Sequence, residues 1–168
     1  MSDLAHGVQG IHMISTPVEV PGEGYPVYTM RLRVRQYEMD AFGHVNNAVY
    51  LNYLEQAGTE HAEALGFPQS RMSALGGLFV VRRHEIDYLG AAVAGDELAV
   101  TTWPEMLTGV RAIRAYEIRH LETDRRLISA RTLWVWVDIK TGRPRPIPRE
   151  LLEAFAVLTD RDLAQLEP

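Results

Sequence analysis

Five segments of the chain carry a strand pattern. The pattern is clearest in residues 27–35, where apolar and polar side chains alternate with a period of two. The other four segments are residues 78–88, 97–107, 111–121 and 127–139. Turn-forming pairs at 95–96, 108–109 and 123–124 separate the later segments. The chain is therefore predicted to contain five β-strands.

The longest helical pattern begins at Asn46 or Asn47, since asparagine is a preferred helix N-cap. Gly66 and Pro68 end this helix. Its main apolar face consists of Tyr50, Leu54, Ala57, His61 and Leu65, and Val49, Tyr53 and Ala64 widen that face. We therefore expect the helix to be covered on most sides, so that Glu55 within it would need a partner.

The order of one strand, one long helix and four strands predicts an α+β fold, in which an antiparallel five-stranded sheet is wrapped around a long central helix. A loop is expected over 72–77, and a short helix over 148–155 that starts with proline. Residues 1–26 carry four glycines and three prolines, which predicts a flexible N-terminal extension. Residues 27–168 then form a single domain.

Composition narrows the possible functions. A net charge of −5 and a pI of about 5.7 give no nucleic-acid footprint and no cationic membrane face. The absence of cysteine excludes disulfides, thiolate zinc sites and a cysteine nucleophile. The chain has no apolar run long enough to cross a bilayer and no secretory signal, so we expect a cytoplasmic protein. Histidine spacing predicts no metal site, and no cofactor is expected.

Residues 36–55, which read QYEMDAFGHVNNAVYLNYLE, carry the candidate chemistry. Asp40 lies four residues before His44, which Gly43 precedes, and an Asn-Asn pair opens the predicted helix. A polar loop that runs into a helix N-terminus offers an acid together with free backbone N–H groups. An acid and an oxyanion site are the two parts that thioester hydrolysis requires.

This segment resembles a family motif, D-x-x-G-H-V-N-N-x-x-Y-x-x-Y-x-E, of hotdog-fold acyl-CoA thioesterases of the 4-hydroxybenzoyl-CoA thioesterase type. The resemblance continues through residues 82–89, 95–98 and 147–151, and spans roughly 28–155. It implies a hotdog fold and release of a free acid and coenzyme A from an acyl-CoA thioester. It also implies that the last strands lie at the edges of the sheet. A homodimer or homotetramer would form by joining sheets edge to edge, with the site between subunits.

The main catalytic predictions concern Asp40 and the start of the long helix. Asp40 would act as general base or as nucleophile, and the alternative is a turn or capping residue. The resemblance implies that the backbone N–H of Asn47 points at the thioester oxygen. Asn46 would cap the helix or contribute to catalysis. His44 would shuttle a proton or position Asp40, and a structural histidine is the alternative.

The remaining predictions concern substrate binding. Gly43 would allow a special backbone angle or a close substrate approach. Tyr50 would line the acyl pocket or pack in the core. The turn and strand that carry Thr108, Gly109, Arg111 and Arg114 would bind the phosphates of coenzyme A, with Arg143 and Arg145 as a second possibility. Many relatives carry arginine at the position of Gly58, so any salt bridge that needs it is absent here.

Three other functions remain to be weighed. A non-catalytic acyl-CoA-binding or sensory module would normally bring a second domain, and an intact Asp40 argues against it. A hotdog dehydratase would need a histidine loop that this chain lacks. The H-V-N-N string also occurs in plant acyl-carrier-protein thioesterases, but those enzymes have asparagine where this chain has Phe42. The acyl group and its carrier stay open.

Overall fold

The computed structural model describes residues 26–155. Five strands are present, and each lies within two residues of its predicted bounds. They are β1 (Tyr28–Arg33), β2 (Gly77–Tyr88), β3 (Glu97–Thr108), β4 (Arg111–His120) and β5 (Arg126–Asp138). Three α-helices accompany them, α1 (Asn47–Ala64), α2 (Gln69–Ala74) and α3 (Arg149–Phe155). The predicted extension lies outside the described residues, apart from Pro26.

All five strands form one antiparallel sheet in the order β1-β3-β4-β5-β2. The expected α+β architecture is confirmed. The expectation that the last strands form the sheet edges is wrong, because β5 lies between β4 and β2. The edges among the described residues are the first two strands, β1 and β2. A bulge between Val81 and Arg83 interrupts the register of β2.

The long helix α1 packs across one face of this sheet. Asn46 is its N-cap, and the Asn46 side chain accepts a hydrogen bond of 2.9 Å from the Ala48 N–H, as the sequence predicted. The predicted apolar face is buried at Tyr50, Leu54, Ala57 and His61.

The expectation that α1 is covered on most sides is wrong, because both Ala64 and Glu55 are exposed. The sheet covers one side of the helix and leaves the other to solvent. Glu55 therefore needs no buried partner.

Two apolar clusters fill the space between α1 and the sheet. One surrounds Tyr50, Leu54, Tyr116 and Ile128, near the start of α1. The other surrounds Trp136 and includes Phe67, Leu151 and Phe155, near the end of α1. The two clusters give α1 different surroundings at its two ends, and each end borders a cavity.

The loop predicted over 72–77 is largely wrong, because α2 occupies Gln69–Ala74. Pro68 is the N-cap of this helix, and its extended backbone lets the chain turn sharply after α1. Met72 and Leu75 then pack against the second cluster. Six residues are too few for a helical period to stand out in the sequence.

Candidate active site

The acid of the motif sits in a tight turn. Met39 and Val45 form an antiparallel bridge that closes the turn. Within it the Asp40 N–H donates to the His44 carbonyl at 2.7 Å, and the Gly43 N–H donates to the Asp40 carbonyl at 3.1 Å. Gly43 has a φ of +76°, in the left-handed region that glycine adopts without strain. A Cβ at Gly43 would meet no atom within 4 Å, so backbone conformation is what favours glycine there.

The Asp40 carboxylate is fixed by its own turn. Its Oδ1 accepts hydrogen bonds from the N–H groups of Phe42 at 2.8 Å and His44 at 3.2 Å. Oδ2 accepts no hydrogen bond from any residue in the described range 26–155. The capping role considered for this aspartate is thus present, and it uses only one of the two oxygens. The other oxygen is available to a substrate or to water.

The start of α1 leaves one backbone donor unused. The Ala48 N–H donates to the Asn46 side chain, and the Val49 N–H donates to the Asn46 carbonyl at 2.9 Å. The Asn47 N–H has no acceptor within residues 26–155. Helix starts generally leave such donors free, and the helix macrodipole adds about half a positive charge there.

A cavity of about 260 Å³, which we call the Asp40 cavity, brings these groups together. Four of the predicted site residues line it, namely Asp40, His44, Asn47 and Tyr50. Its other lining residues are Val45, Tyr88, Leu89, Gly90 and Ala91. Gly43 and Asn46 shape the turn and the helix start and do not line the cavity. An acid and a free helix N-terminal N–H therefore border one space.

Two tyrosines, Tyr50 and Tyr88, line the Asp40 cavity. Tyr50 is buried, and its hydroxyl accepts a hydrogen bond of 3.1 Å from the Ala92 N–H, so it has both of the roles considered for it. Burial raises the pKa of Tyr50. The Tyr88 hydroxyl donates to the Asn47 carbonyl at 3.1 Å, and its ring meets that of Tyr50 edge to face. Sequence reasoning did not assign Tyr88 to the site, although the residue lies within a string, residues 82–89, that resembles the family.

A buried hydrogen-bond pair supports the turn from below. The Tyr53 hydroxyl donates to Glu38 at 2.7 Å, and both side chains are buried. The same carboxylate accepts the Arg35 N–H at 2.7 Å. Burial and the bond to Glu38 raise the pKa of Tyr53. Glu38 lies two residues before Asp40, so this pair ties the acid's segment to α1; the spacing in the sequence gave no signal of it.

The predicted phosphate-binding turn lies away from the Asp40 cavity. Thr108, Gly109 and Arg111 are exposed at the β3–β4 hairpin. Arg111 pairs with Val135 of β5, whereas Tyr88 pairs with Ile128 of the same strand. Seven residues of strand correspond to roughly 23 Å. Within one chain, this hairpin therefore lies far from Asp40.

The Arg114 side chain does not lie on the surface of that hairpin. It has the strand parity of Ala112 and Tyr116, which face the core, and it is only 9% exposed. Its Nη1 bonds to His61 Nδ1 at 2.8 Å and to Thr102 Oγ1 at 3.2 Å. The grouping of Arg114 with the surface hairpin is therefore wrong, because its side chain extends into the interior. Burial, followed by the nearby Arg114 charge, lowers the pKa of His61 to about 3, so His61 is neutral.

Within residues 26–155, no group of three His, Asp or Glu side chains is arranged to hold a metal ion. None of the helices described is long and apolar enough to cross a membrane.

Comparison with protein families gives a match over most of the chain. The family model described as the Thioesterase-like superfamily matches residues 34–155. This range contains the Asp40 turn, α1 and every strand after β1. The resemblance seen in the sequence is confirmed at the level of this superfamily, and the match does not single out the 4-hydroxybenzoyl-CoA type.

Individual proteins that are similar to this chain are also thioesterases by name. The long-chain acyl-CoA thioesterase FadM of Escherichia coli K12 is 33% identical over 127 residues, which cover 73% of this chain and 92% of FadM. The chloroplastic acyl-acyl carrier protein thioesterase ATL2 of Arabidopsis thaliana is 30% identical over 131 residues, 76% of this chain and 68% of ATL2. The solved structure of E. coli YbaW superposes with a TM-score of 0.66 at 31% identity, covering 76% of this chain and 95% of YbaW. The hotdog fold is confirmed.

Proposed function

The chain belongs to the Thioesterase-like superfamily and is a thioester hydrolase, and from this premise we propose how it works. The substrate is an acyl-CoA, and the products are a free acid and coenzyme A. Asp40 supplies the catalytic carboxylate, and the backbone N–H of Asn47 stabilises the oxyanion. One observation carries this proposal: Asp40 and Asn47 line the same cavity at the N-terminus of an 18-residue helix.

The chemistry follows from these two groups. A thioester whose carbonyl oxygen accepts the Asn47 N–H gains a hydrogen bond that strengthens as negative charge develops on that oxygen. Asp40 Oδ2 either takes a proton from the attacking water or attacks the carbonyl carbon itself. The second route forms a mixed anhydride that water then opens. In both routes the carbon–sulfur bond breaks, and the coenzyme A thiolate leaves and is protonated.

His44 is proposed to support this chemistry from the rim of the cavity. Two hydrogen bonds hold it beside the acid: the His44 carbonyl accepts the Asp40 N–H, and the His44 N–H donates to Asp40 Oδ1. Its imidazole lines the cavity, where it can carry a proton to the departing thiolate or orient Asp40. A thiolate is a good leaving group, so the contribution of His44 is expected to be smaller than that of Asp40.

A homodimer, or a homotetramer built from such dimers, is proposed to complete the site. Strand β2 is an open edge of 12 residues with Val80 and Val81 half exposed, and open edges favour pairing. Antiparallel pairing of two β2 strands about their middle would set the Val80 end of one subunit level with the Tyr88 end of the other. Val80 pairs with Val135, which pairs with Arg111. The partner's hairpin at Thr108, Gly109 and Arg111 would then approach the Asp40 cavity and bind the phosphates of coenzyme A.

An acyl-carrier-protein thioesterase is the second candidate. The observation in its favour is the 30% identity to ATL2, whose name gives acyl-acyl carrier protein as its substrate. The proposed acid and oxyanion site would serve either carrier, because both carry the acyl group as a thioester. An acyl-CoA-binding module without activity is less favoured, because the Asp40 carboxylate keeps one oxygen free at the cavity.

The test is thiol release from acyl-CoA and acyl-carrier-protein thioesters by wild type, Asp40→Asn and Glu122→Gln. Asparagine retains the Oδ1 acceptor that holds the turn, so Asp40→Asn is expected to fold normally. We expect it to lose on the order of a hundredfold or more in kcat. Glu122 is exposed, and Glu122→Gln controls for the loss of one negative charge.

The outcomes separate the candidates. Faster release from coenzyme A thioesters supports the first proposal, and faster release from the carrier protein supports the second. Full activity in Asp40→Asn would remove Asp40 from its proposed role. No release from either carrier, together with tight acyl-CoA binding, would favour the module.

A further inference from the structure

A second cavity, which we call the Arg114 cavity, lies between the later half of α1 and the sheet. It measures about 240 Å³, and its walls are mainly apolar, with Phe67, Phe79, Leu107, Trp134 and Phe155 among them. Two charged side chains also line it, Arg114 on the sheet and Glu55 on α1. An apolar cavity with a few polar groups is the usual form of a small-molecule site.

The guanidinium of Arg114 has an unbalanced positive charge and unused hydrogen-bond donors. Nη1 is used by His61 and Thr102, whereas Nε and Nη2 donate to no residue within 26–155. No carboxylate of this range lies within the 4.0 Å of an ion pair with Arg114. A histidine carries no negative charge, so His61 cannot balance the charge. A cation that is 9% exposed and lacks an anion is unfavourable, and burial lowers its pKa.

The Tyr116 hydroxyl is buried beside this guanidinium, and it interacts with the Trp134 and Thr132 side chains. Gly58 keeps the space next to the Tyr116 hydroxyl and Arg114 open. A Cβ at Gly58 would lie 3.3 Å from the Tyr116 hydroxyl and 3.6 Å from Arg114 Cδ. The Nε and Nη2 groups of Arg114 are donors, so this end of the cavity suits an anionic acceptor.

The Arg114 cavity lies along the same helix as the Asp40 cavity. Asn47 lines one and Gly58 lines the other, and eleven residues of helix correspond to roughly 16 Å. Phe79 of β2 lines the Arg114 cavity, and Tyr88 at the other end of β2 lines the Asp40 cavity. An extended acyl chain of about this length, with its thioester at Asn47, would reach the Arg114 cavity.

We propose that the Arg114 cavity binds the far end of the acyl group and selects a carboxylate there, which makes ω-carboxyacyl thioesters the preferred substrate class. This inference rests on the proposed thioesterase site. Arg114 supplies the charge and a planar pair of N–H donors that a carboxylate oxygen pair can accept. The aromatic and aliphatic walls enclose the methylenes before that carboxylate. Arg114 is thus a specificity-determining residue.

The test uses substrate pairs that differ only in the terminal carboxylate. They are octanoyl- and suberoyl-CoA, decanoyl- and sebacoyl-CoA, and dodecanoyl- and dodecanedioyl-CoA. We expect wild type to prefer at least one dicarboxylic member in kcat/KM. Arg114→Met should lose on the order of ten- to a hundredfold on that member and change little on its monocarboxylic partner. Arg114→Lys should retain part of the preference, because it keeps the charge without the planar donor pair.

The matched control is Arg31→Met, because Arg31 is an exposed arginine on edge strand β1. It should leave the preference unchanged. A binding measurement separates this inference from the proposed function. Titration calorimetry with Asp40→Asn and with Asp40→Asn/Arg114→Met measures affinity for the same thioesters without turnover. The inference is supported if Asp40→Asn binds the dicarboxylic member more tightly than its monocarboxylic partner and Asp40→Asn/Arg114→Met does not. This holds even if no thioester is cleaved.

Two results would overturn the inference. One is equal kcat/KM and equal affinity for both members of every pair in protein with Arg114 intact. The other is a preference that survives in Arg114→Met. Hydrolysis of monocarboxylic thioesters that depends on Asp40 would leave the proposed function standing in either case.

Discussion

Asn47 contributes its backbone to the proposed reaction, and this separates its role from that of its side chain. It is the first residue of α1, and its N–H is the donor proposed for the oxyanion. The cap itself is made by the neighbouring Asn46 side chain. Removal of the Asn47 side chain therefore leaves the donor in place, and only a change to the backbone tests it.

Proline offers that change at low structural cost. It is favoured at the first helical position, where its missing N–H breaks no helical hydrogen bond. Asn46 before it has φ −57° and ψ 135°, which is the conformation that proline imposes on the preceding residue. We predict that Asn47→Pro keeps the fold and lowers kcat by about a hundred- to a thousandfold. Thiol release and thermal unfolding of the same preparation measure both.

The matched variant Asn47→Ala should retain most of the activity, since it keeps the N–H. If Asn47→Pro were as active as Asn47→Ala, the oxyanion would have to be bound elsewhere. A loss of folded protein in Asn47→Pro would show in the unfolding curve and be distinguished from a loss of catalysis.

A buried contact between His61 of α1 and Arg114 of β4 joins the helix to the sheet. His61 stacks on Tyr28 of β1, and its Nδ1 meets the guanidinium of β4 at 2.8 Å. Burial is the main cause of its lowered pKa, and the Arg114 charge is the second. The contact thus requires neutral imidazole, and this requirement makes its stability depend on pH.

The sign of that dependence follows from proton binding. Unfolded His61 takes up a proton below its ordinary pKa of 6.5, whereas folded His61 does so only near 3. The contribution of His61 is fully present above pH 6.5 and is lost as the pH falls toward 3. We predict that the free energy of unfolding of wild type falls more steeply than that of His61→Gln, by up to about 1.4 kcal/mol per pH unit. Urea unfolding at several pH values between about 6.5 and 5 measures the difference. Equal slopes would mean that folded His61 takes up its proton in the ordinary range.

The elements show which kinds of sequence signal were informative. The strands and α1 were predicted closely, because alternation, an asparagine cap and a Gly–Pro end are local properties of the chain. The acid turn was also local, so Asp40, His44 and Asn47 could be predicted to lie together. Pairs distant in sequence left no such signal, and neither the Glu38–Tyr53 bond nor the side of Arg114 was predicted. Periodicity also overstated the covered surface of α1, since it cannot show how far a sheet curls.

At the scale of the whole molecule, the proposed site needs two chains. The Asp40 cavity holds the proposed acid and the proposed oxyanion donor, but no arginine of residues 26–155 lines it. The hairpin that carries Arg111 lies roughly 23 Å along the sheet from it. Antiparallel pairing of the β2 edges reverses one subunit relative to the other and removes this separation. In this proposal the dimer is needed to bind coenzyme A, and it also covers the open β2 edge.

Complementation between an inactive variant and a variant with a raised KM tests this arrangement. Asp40→Asn lacks the acid, and Arg111→Met lacks a proposed phosphate contact and should raise KM. If each site combines Asp40 of one subunit with Arg111 of the other, a mixed dimer contains one site with both residues intact. Half of randomly formed dimers are mixed, so unfolding and refolding an equal mixture should restore about a quarter of wild-type activity at low acyl-CoA. Sites built from one chain would show no gain over the unmixed variants, because no chain in the mixture carries both residues.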